Sequence, residues 1–547
     1  MTKKTSRTLG AHGGIVHNHL QSLAGPQWLS LQAAVRVANL GWQDSLMTTT
    51  PVLPRTADPF DRASAAAVIA KTPTQALLAG VWSKTSGEPI NVTDPANGEV
   101  LTTIGNATSA DLLAVLDTAS AAQRAWAKRP SRERAEILRR SFDLMIERCD
   151  EIALIMTLES GKTIAEARGE VTYAAEFLRW FSEETVRIGG EFRTAPSGVH
   201  RILTIKQPIG IAYLITPWNF PAAMMTRKIG PALAAGNAVV VKPATETPLT
   251  AYAIAQIFLD AGVEPGVLTV LTTKDPSSIT EAAFSHPAVR KLSFTGSTQV
   301  GRMLLEKAAG RILRTSMELG GNAPFIVMED ANLEKAIEGA MIAKMRNCGQ
   351  ACTAANRFIV HTKVHDQFVN MLSKEMGALK LGHGTDPSTT LAPLVSRKAH
   401  DQVSKLVDIA VKNGGQIALG ATGTDGPGAF YAATVLADVP VDSPLLAEEI
   451  FGPVAPVVRV HSDEEAVAVA NDTQYGLVSY VYTENLARGL KLSEQIESGM
   501  VGINRGLVSD PAAPFGGVKE SGLGREGGFE GIEEFLETKY ISVPNWN

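Results

Sequence analysis

Residues 291–301 read KLSFTGSTQVG, a short apolar run followed by a glycine-containing turn and the start of a helix. A strand, a tight turn and a helix in this order form the unit of an open parallel sheet, which binds ligands outside the carboxyl ends of its strands. Lys242 closes a second such run, 238–241, and places an ammonium group at the same edge. Because neither a GxGxxG fingerprint nor a P-loop is present, a nucleotide site and a purely structural turn both remain open.

The alternation of strands and helices continues along most of the chain. Further β-rich runs separated by helical segments are 210–216, 324–328, 357–360, 454–460, 478–482 and 500–503. Strands that alternate with helices form βαβ units and mostly parallel sheets. Two segments differ, because 91–103 reads as a hairpin and 190–207 as a strand or hairpin inserted between helices. The sequence therefore predicts an α/β fold with more than one sheet.

Composition excludes several classes of protein. The 547 residues include 51 Lys and Arg against 56 Asp and Glu, a formal net charge of −5, which argues against a nucleic-acid-binding protein. No apolar run reaches the roughly 18 residues of a membrane span. Three cysteines exclude a disulfide scaffold and favour a reducing compartment. We therefore expect a soluble, cytoplasmic protein of several domains that binds neither nucleic acid nor membrane.

The beginning of the chain has a different composition. In residues 1–46 basic side chains outnumber the acid Asp44, as in some transit peptides. A disordered tail, or a translation start placed before a true start at Met47, is the other interpretation. We predict that 1–75 is an N-terminal extension without ordered structure.

Three residues carry side chains suited to acyl chemistry. Cys352 follows a Gly-Gln turn that could present a nucleophile, although a lone cysteine is more often a small buried residue. Glu318 lies just before an apolar strand and could act as a general base, although such a glutamate is more often a solvated charge. Asn219 lies in the turn PWNFP, where its amide could donate to an oxyanion or where the turn could be purely structural.

The sequence predicts no metal site. Cys348 precedes Cys352, but no second pair of Cys or His residues follows at ligand spacing. His361 and His365 lack the glutamate of an HExxH motif, so we expect both histidines on the surface.

Taken together, the motifs are far more specific than any one of them. In chain order they are PWNFP at 217–221, KPA at 242–244, FTGS at 294–297, ELGG at 318–321, GQAC at 349–352, EEIFGPV at 448–454 and PFGGVKESG at 514–522. This ordered set resembles the NAD(P)-dependent aldehyde dehydrogenase superfamily, over about residues 76–547.

The resemblance implies a fold of three parts. A Rossmann-like cofactor domain would comprise 76–189 and 208–320, and an α/β catalytic domain would comprise 321–530. A small β arm, 190–207 with 531–547, would join subunits into a homodimer or homotetramer.

The resemblance also assigns roles to residues. Cys352 would be the nucleophile, Glu318 the general base, and Asn219 with the backbone amide of Cys352 the oxyanion hole. The cofactor-binding residues would be Trp218, Lys242, Thr245, Gly296, Ser297, Glu449 and Phe451.

Within the superfamily, the stretches 215–228, 345–347, 476–482 and 514–527 look like succinate-semialdehyde dehydrogenase. Arg227 and Arg346 match its carboxylate-binding arginines, although without the family both read as surface or salt-bridge residues. Ser509 is a further expected carboxylate contact, whereas Asp510 would repel the substrate if it faced the pocket. Glutarate semialdehyde, a betaine-aldehyde-type substrate and a non-catalytic binding protein on this fold are the alternatives.

Two positions depart from common patterns in the superfamily. Enzymes that prefer NAD often place a glutamate three residues after the lysine of KPA, where this chain has Thr245. We therefore predict use of NADP, with NAD as a second cofactor, although Glu246 could weaken this preference. Ala354 replaces a frequent second cysteine, so a redox pair with Cys352 is excluded, and Cys348 is a doubtful substitute.

Overall fold

The computed structural model describes residues 62–424 and 426–546. The helices are α1 (Arg62–Lys71), α2 (Ser109–Lys128), α3 (Ser131–Glu147), α4 (Cys149–Ser160), α5 (Ile164–Thr185), α6 (Pro221–Ala234), α7 (Pro248–Ala261), α8 (Pro276–Ser285), α9 (Thr298–Ala309), α10 (Leu333–Met345), α11 (His365–Gly377), α12 (Arg397–Lys412), α13 (Asp463–Asn471), α14 (Leu486–Gln495) and α15 (Glu530–Glu533), with 3₁₀ turns at Arg346–Gly349 and Pro444–Ala447. The strands are β1 (Ala76–Leu78), β2 (Val81–Ser83), β3 (Gly87–Thr93), β4 (Val100–Asn106), β5 (Phe192–Thr194), β6 (His200–Pro208), β7 (Ile211–Ile215), β8 (Ala238–Lys242), β9 (Leu268–Val270), β10 (Val289–Thr295), β11 (Arg314–Glu318), β12 (Ala323–Val327), β13 (Ala355–His361), β14 (Gln416–Leu419), β15 (Thr434–Ala437), β16 (Val454–Val460), β17 (Tyr475–Gly476), β18 (Val478–Tyr482), β19 (Met500–Ile503), β20 (Val518–Lys519), β21 (Gly522–Leu523) and β22 (Leu536–Pro544). Among the described residues, no helix is long and apolar enough to cross a membrane.

The first large sheet has the strand order β2-β1-β9-β8-β7-β10-β11-β21. Its central strands, from β9 to β11, run parallel, and β1, β2 and β21 pair antiparallel at the edges. In β7, Ile211, Tyr213 and Ile215 pack into one apolar core, whereas Ala212 and Leu214 pack into another. Successive side chains of a strand point to opposite faces, so an entirely apolar strand requires a core on both sides.

The second large sheet has the order β14-β15-β16-β13-β12-β18-β19, with β14 antiparallel to the other strands. Its central strands β12, β13 and β18 are buried along their whole length. Two largely parallel sheets with helices between their strands confirm the predicted α/β fold.

A third, antiparallel sheet has the order β22-β6-β5. β22 pairs with β6 from Leu536 opposite Pro208 to Pro544 opposite His200. Its residues are mostly half-buried or exposed. The segments 190–207 and 531–547 therefore lie together, and their role in assembly stays a prediction.

Two features differ from the predicted organisation. The extension 1–75 was expected to lack ordered structure, but α1 lies within it and buries Ile69 in the core that also contains α4. The rest of that prediction, 1–61, falls outside the described residues. β21 comes from the predicted catalytic segment, 321–530, and yet pairs with β11 of the first sheet. The domain boundaries stay a prediction.

Candidate active site

Three candidate residues follow three adjacent parallel strands. Asn219 lies in the turn after β7, Gly296 directly follows β10, and Glu318 is the last residue of β11. β10 lies between β7 and β11, with Thr295 in register with Glu318. Because carboxyl ends of parallel strands meet at one edge of a sheet, the fold brings these residues together where ligands bind.

Cys352 lies in the loop between α10 and β13, and this loop has an unusual backbone. Residues 347–349 have φ angles of 52°, 58° and 73°. A left-handed conformation costs a non-glycine residue on the order of 1 kcal/mol. The loop is tied to its surroundings, because the backbone amide of Asn347 donates to Glu166 Oε1 (2.6 Å) and its Nδ2 donates to the Asn219 carbonyl (2.9 Å). The loop is thus held directly against the turn that carries Asn219.

The side chain of Cys352 is partly exposed and lines a cavity of about 240 Å³. The same cavity is lined by the predicted residues Trp218, Asn219, Gly296, Ser297, Glu449 and Phe451. Most of the predicted catalytic and cofactor-binding residues therefore share one cavity with the thiol.

The Asn219 amide has a fixed orientation at this cavity. Its Nδ2 donates to the Gln350 carbonyl (3.1 Å), and its Oδ1 accepts from the Phe220 amide (3.1 Å). An amide nitrogen carries two N–H donors, so one hydrogen bond leaves a second donor. This donor can stabilise negative charge on an oxygen whose carbon is bonded to Cys352 Sγ.

The surroundings of Cys352 favour the protonated thiol. Burial raises its pKa to about 12, and the carboxyl groups of Glu449 and Glu318 act in the same direction. Arg227 and Arg346 oppose this rise. A reaction at the thiol must therefore remove its proton as the new bond forms.

Two buried glutamates next to this cavity have opposite pKa shifts. Burial, with the Glu526 charge, raises the pKa of Glu318 well above its usual value, and neither Glu318 oxygen has a hydrogen-bond partner in the part of the chain that the structure describes. The pKa of Glu526 is instead lowered, because its ion pairs with Lys228 and Arg227 outweigh its burial. Glu526 therefore holds the charge, and Glu318 is the carboxyl group that can exchange a proton.

Arg227 is buried in a salt bridge, so of the two interpretations made without the family, a surface or a salt-bridge residue, the second is the one observed. Its side chain is 1% exposed, and its Nε lies 2.5 Å from Glu526 Oε2. The guanidinium group stacks on Phe515, 4.2 Å from the ring centre, and its Nη2 contacts Met224 Sδ at 3.0 Å. Its charge also acts on Cys352, so it lies in the same region as the thiol.

The other predicted carboxylate contacts lie around Tyr173, which the sequence analysis did not identify. Charges of Arg227 and Arg346 act on the Tyr173 hydroxyl, and Ser509 lies beside it. This hydroxyl is buried without a hydrogen-bond partner in the described structure. Asp510, in contrast, is exposed, and its carboxylate accepts from the Ala512 amide (2.9 Å).

Lys242 and Thr245 lie at a second cavity, of about 510 Å³, which Glu246 also lines. The Lys242 ammonium donates to the Pro243 carbonyl (3.2 Å), and burial lowers its pKa. Thr245 Oγ1 donates to Glu246 Oε2 (3.3 Å), so this carboxylate is turned towards the threonine.

The histidines predicted on the surface are buried. His361 is 5% exposed and its Nε2 lies 3.1 Å from the His461 carbonyl, while His365 is 1% exposed and its Nδ1 lies 3.0 Å from Asp366 Oδ1. The prediction was wrong because the lack of a zinc motif says nothing about burial: His361 ends the buried strand β13.

Sequence reasoning missed Tyr173, Lys228 and Glu526. Glu526 had a usable signal, because it lies among closely spaced glycines in 514–527, and a carboxyl group in such a loop is a candidate functional residue. Tyr173 lies within a regular amphipathic helix, where nothing in the pattern distinguishes it from a packing residue.

Comparisons with known proteins agree with this site. A model of the aldehyde dehydrogenase family matches residues 82–541. The chain is 54% identical over 444 residues to the succinate-semialdehyde dehydrogenase of Paenarthrobacter nicotinovorans (81% of this chain, 99% of that protein) and 46% identical over 470 residues to the glutarate-semialdehyde dehydrogenase of Pseudomonas aeruginosa (86% and 97%). The crystal structure of an E. coli NADP-dependent enzyme is similar with a TM-score of 0.85 at 46% identity, covering 87% of this chain and 98% of that one. The chain belongs to the aldehyde dehydrogenase family.

Proposed function

We propose that the protein oxidises succinate semialdehyde to succinate, with NADP or NAD as the hydride acceptor. The observation that carries this proposal is the partly exposed Cys352 at a cavity, with the charges of Arg227 and Arg346 acting on its thiol. A thiol suits an aldehyde carbon, and guanidinium groups suit a carboxylate at the other end of the substrate. A relative is named for succinate semialdehyde and another for glutarate semialdehyde, so the longer substrate is the competing candidate.

The residues around the cysteine cavity fit a dinucleotide. The Thr295 hydroxyl is buried without a partner at the end of β10, and a Cβ on Gly296 would come 2.5 Å from the Phe294 ring. Ser297 is the N-cap of α9, whose first amides favour a phosphate. Bound NADP or NAD would supply the hydride acceptor that oxidises the aldehyde carbon.

Separate groups would contact the two ends of the cofactor. Trp218, Gly296, Ser297, Glu449 and Phe451 would hold the nicotinamide end. Lys242 and Thr245 would hold the adenosine end, where the Lys242 ammonium would attract a 2′-phosphate and the neutral Thr245 would not repel it. The Glu246 carboxylate, which accepts from Thr245, would oppose this preference.

The chain supplies the acid–base and nucleophilic chemistry. The Cys352 thiol gives its proton to solvent as Sγ bonds to the aldehyde carbon, and the π electrons of the carbonyl group move to its oxygen. The resulting oxyanion accepts hydrogen bonds from Asn219 Nδ2 and the Cys352 amide. After oxidation the carbon is held as a thioester on Cys352. Glu318, once ionised, takes a proton from water, whose oxygen attacks the thioester carbon and releases the carboxylate product and the cysteine sulfur.

A panel of aldehydes with both cofactors tests the proposal. Succinate semialdehyde, glutarate semialdehyde, betaine aldehyde and the uncharged butanal are compared by kcat/KM, from the absorbance of reduced cofactor. We expect the highest value with succinate semialdehyde and NADP. A higher value with butanal or betaine aldehyde would contradict the proposal, and no turnover with any aldehyde would favour a binding protein on this fold.

We also propose that the sheet β22-β6-β5 joins subunits into a homodimer or homotetramer in the cytoplasm. The apolar side chains of Phe192, Val199, Tyr540 and Trp546 are more than half exposed on or beside this sheet. Exposed apolar side chains on a sheet with open edges indicate a surface that another chain covers. Light scattering should give a dimer or tetramer for the wild type and a smaller species for Tyr540→Glu; a monomeric wild type would contradict the proposal.

A further inference from the structure

Three charged residues around the start of α5 make contacts that the proposed mechanism does not use. Lys162, Glu166 and Glu170 are spaced four residues apart, so Glu166 and Glu170 share one face of the helix, and Lys162 lies just before its cap. None of the three lines the cavity at Cys352. Lys162 contacts the turn that carries Asn219, and Glu170 contacts the helix after that turn. Glu166 contacts the loop that carries Cys352.

Lys162 holds the backbone of the oxyanion-hole residue. Its side chain is 1% exposed and forms an ion pair with Glu170. The same ammonium group donates to the Asn219 carbonyl (2.8 Å) and lies 4.4 Å from the centre of the Phe220 ring. This short, buried, charge-assisted hydrogen bond fixes the position of the turn that carries Asn219.

Glu170 holds the helix that follows the same turn. Its Oε1 accepts from the amides of Ala222 (2.9 Å) and Ala223 (3.3 Å), in the first turn of α6. These amides have no partner within their own helix, and a carboxylate at a helix start is favoured by the helix dipole. Lys162 therefore contacts the turn 217–220 itself, and its ion-pair partner Glu170 contacts the start of the helix that follows the turn.

Glu166 holds the cysteine loop. Its Oε1 accepts from the amide of Asn347 (2.6 Å), at the first left-handed residue of that loop. Its Oε2 accepts from the Thr163 hydroxyl (3.0 Å) in the capping box of α5. One helix terminus is thereby connected to both halves of the candidate oxyanion hole.

We propose that Lys162, Glu166 and Glu170 are positioning residues that set the separation between the Asn219 amide and the Cys352 thiol. Stability alone gives little reason for the pair, because well-packed apolar residues often replace a buried ion pair without loss of stability. Stabilisation of a developing oxyanion, in contrast, depends steeply on the position of its donors. This inference rests on the roles that the proposed function gives to Asn219 and Cys352.

The test is Lys162→Met against the matched control Lys291→Met. Lys291 is also a buried lysine with a carboxylate partner, Glu534. It lies near the start of β10, whereas Gly296 follows the other end of this strand. The measurements are kcat per active site with the best aldehyde of the panel, the kinetic isotope effect with that aldehyde deuterated at its carbonyl carbon, cofactor affinity and melting temperature. If Lys162→Met fails to fold, Lys162→Met/Glu170→Gln removes both charges and is the variant to use.

We expect Lys162→Met to lower kcat by about 10- to 100-fold and to raise the isotope effect, because hydride loss becomes the slow step. Cofactor affinity should stay within about twofold of wild type, and Lys291→Met should lower the melting temperature without these kinetic changes. A wild-type isotope effect and kcat in Lys162→Met would overturn the proposal, as would equal kinetic losses in the two variants.

Glu166→Ala gives a readout that needs no turnover. Release of the Asn347 amide should change the rate at which iodoacetamide alkylates Cys352, whereas Lys291→Met should not. An unchanged alkylation rate would contradict the proposal for Glu166. If the wild type oxidises no aldehyde but Glu166→Ala still changes the alkylation rate of Cys352, the proposed function is contradicted and the positioning role stays supported.

Discussion

Two adjacent regions of the candidate active site differ in whether their ionisable groups are paired with an opposite charge. In the region of Cys352 and Glu318, the thiol is partly exposed, the carboxyl group is buried, and both have raised pKa values. The carboxyl oxygens have no hydrogen-bond partner among the described residues. In the region of Arg227, Lys228 and Glu526, buried charges of opposite sign are directly paired. The comparison indicates that the first region is built to exchange protons and the second to keep a constant charge.

The largest expected effect is from removal of the thiol in the first region. Cys352→Ala should abolish aldehyde oxidation, because no other thiol among the described residues lines the cavity. Cofactor binding, measured by fluorescence titration, should persist. Cys149→Ala is the matched control, since Cys149 is a buried free thiol on α4 and should retain wild-type turnover. Turnover by Cys352→Ala near the wild-type rate would refute the comparison.

The second largest effect is expected from removal of the Glu318 carboxyl group. Glu318→Gln keeps the shape of the side chain but cannot take a proton, so thioester hydrolysis should slow by about 10²- to 10³-fold. A single burst of reduced cofactor should then be followed by a slow steady rate.

The pH dependence of the hydrolysis rate tests whether the pKa of Glu318 is raised. Hydrolysis requires ionised Glu318, and burial raises its pKa, so the wild-type rate should still rise with pH above the range in which an ordinary carboxyl group ionises. Glu318→Gln should lose this rise. A wild-type pH profile that Glu318→Gln leaves unchanged would contradict the role of Glu318 as the proton acceptor.

A change outside both regions should alter cofactor choice but not the chemistry. Thr245→Glu places a carboxylate beside Lys242, where it repels a 2′-phosphate and can accept from ribose hydroxyls. The ratio of kcat/KM with NADP to that with NAD should fall on the order of 30-fold. Thr245→Gln has the same size without the charge and should change the ratio far less. Equal ratios in the two variants would contradict the assignment of this cavity to the adenosine end.

The smallest expected effect tests whether the second region extends to Tyr173. Tyr173→Phe removes only the hydroxyl, and loss of one hydrogen bond to a charged group should lower kcat/KM for succinate semialdehyde by about tenfold. Activity with butanal, which has no carboxylate, should not change. Equal losses with both aldehydes would mean that the hydroxyl has a structural role.

The sequence predicted more of the fold than of the electrostatics. Short apolar strands separated by helices correctly predicted an α/β fold with more than one, mostly parallel, sheet, because period and length are local signals. The ordered motifs placed Cys352, Asn219 and Glu449 at one cavity. The pairing of Arg227 with Glu526 could not be predicted, since it joins helix α6 to a loop much later in the sequence that packing brings beside it.

The disorder predicted for 62–75, the described part of the extension, failed for a similar reason. Composition indicates whether a segment can fold alone, but α1 buries Ile69 against a core built from residues later in the chain. The surface position predicted for His361 failed because the burial of β13 depends on its place in the middle of the second sheet.

Glu526 and β21 follow Asn219 and Cys352 in chain order, which has a consequence for biosynthesis. While the ribosome still encloses residues 522–526, Arg227 and Lys228 lack their carboxylate and β11 lacks its neighbour. A nascent chain therefore carries its thiol and oxyanion donor well before the charges beside them are balanced. Competence for catalysis should appear only once residues 522–526 have emerged and β22 has joined β6.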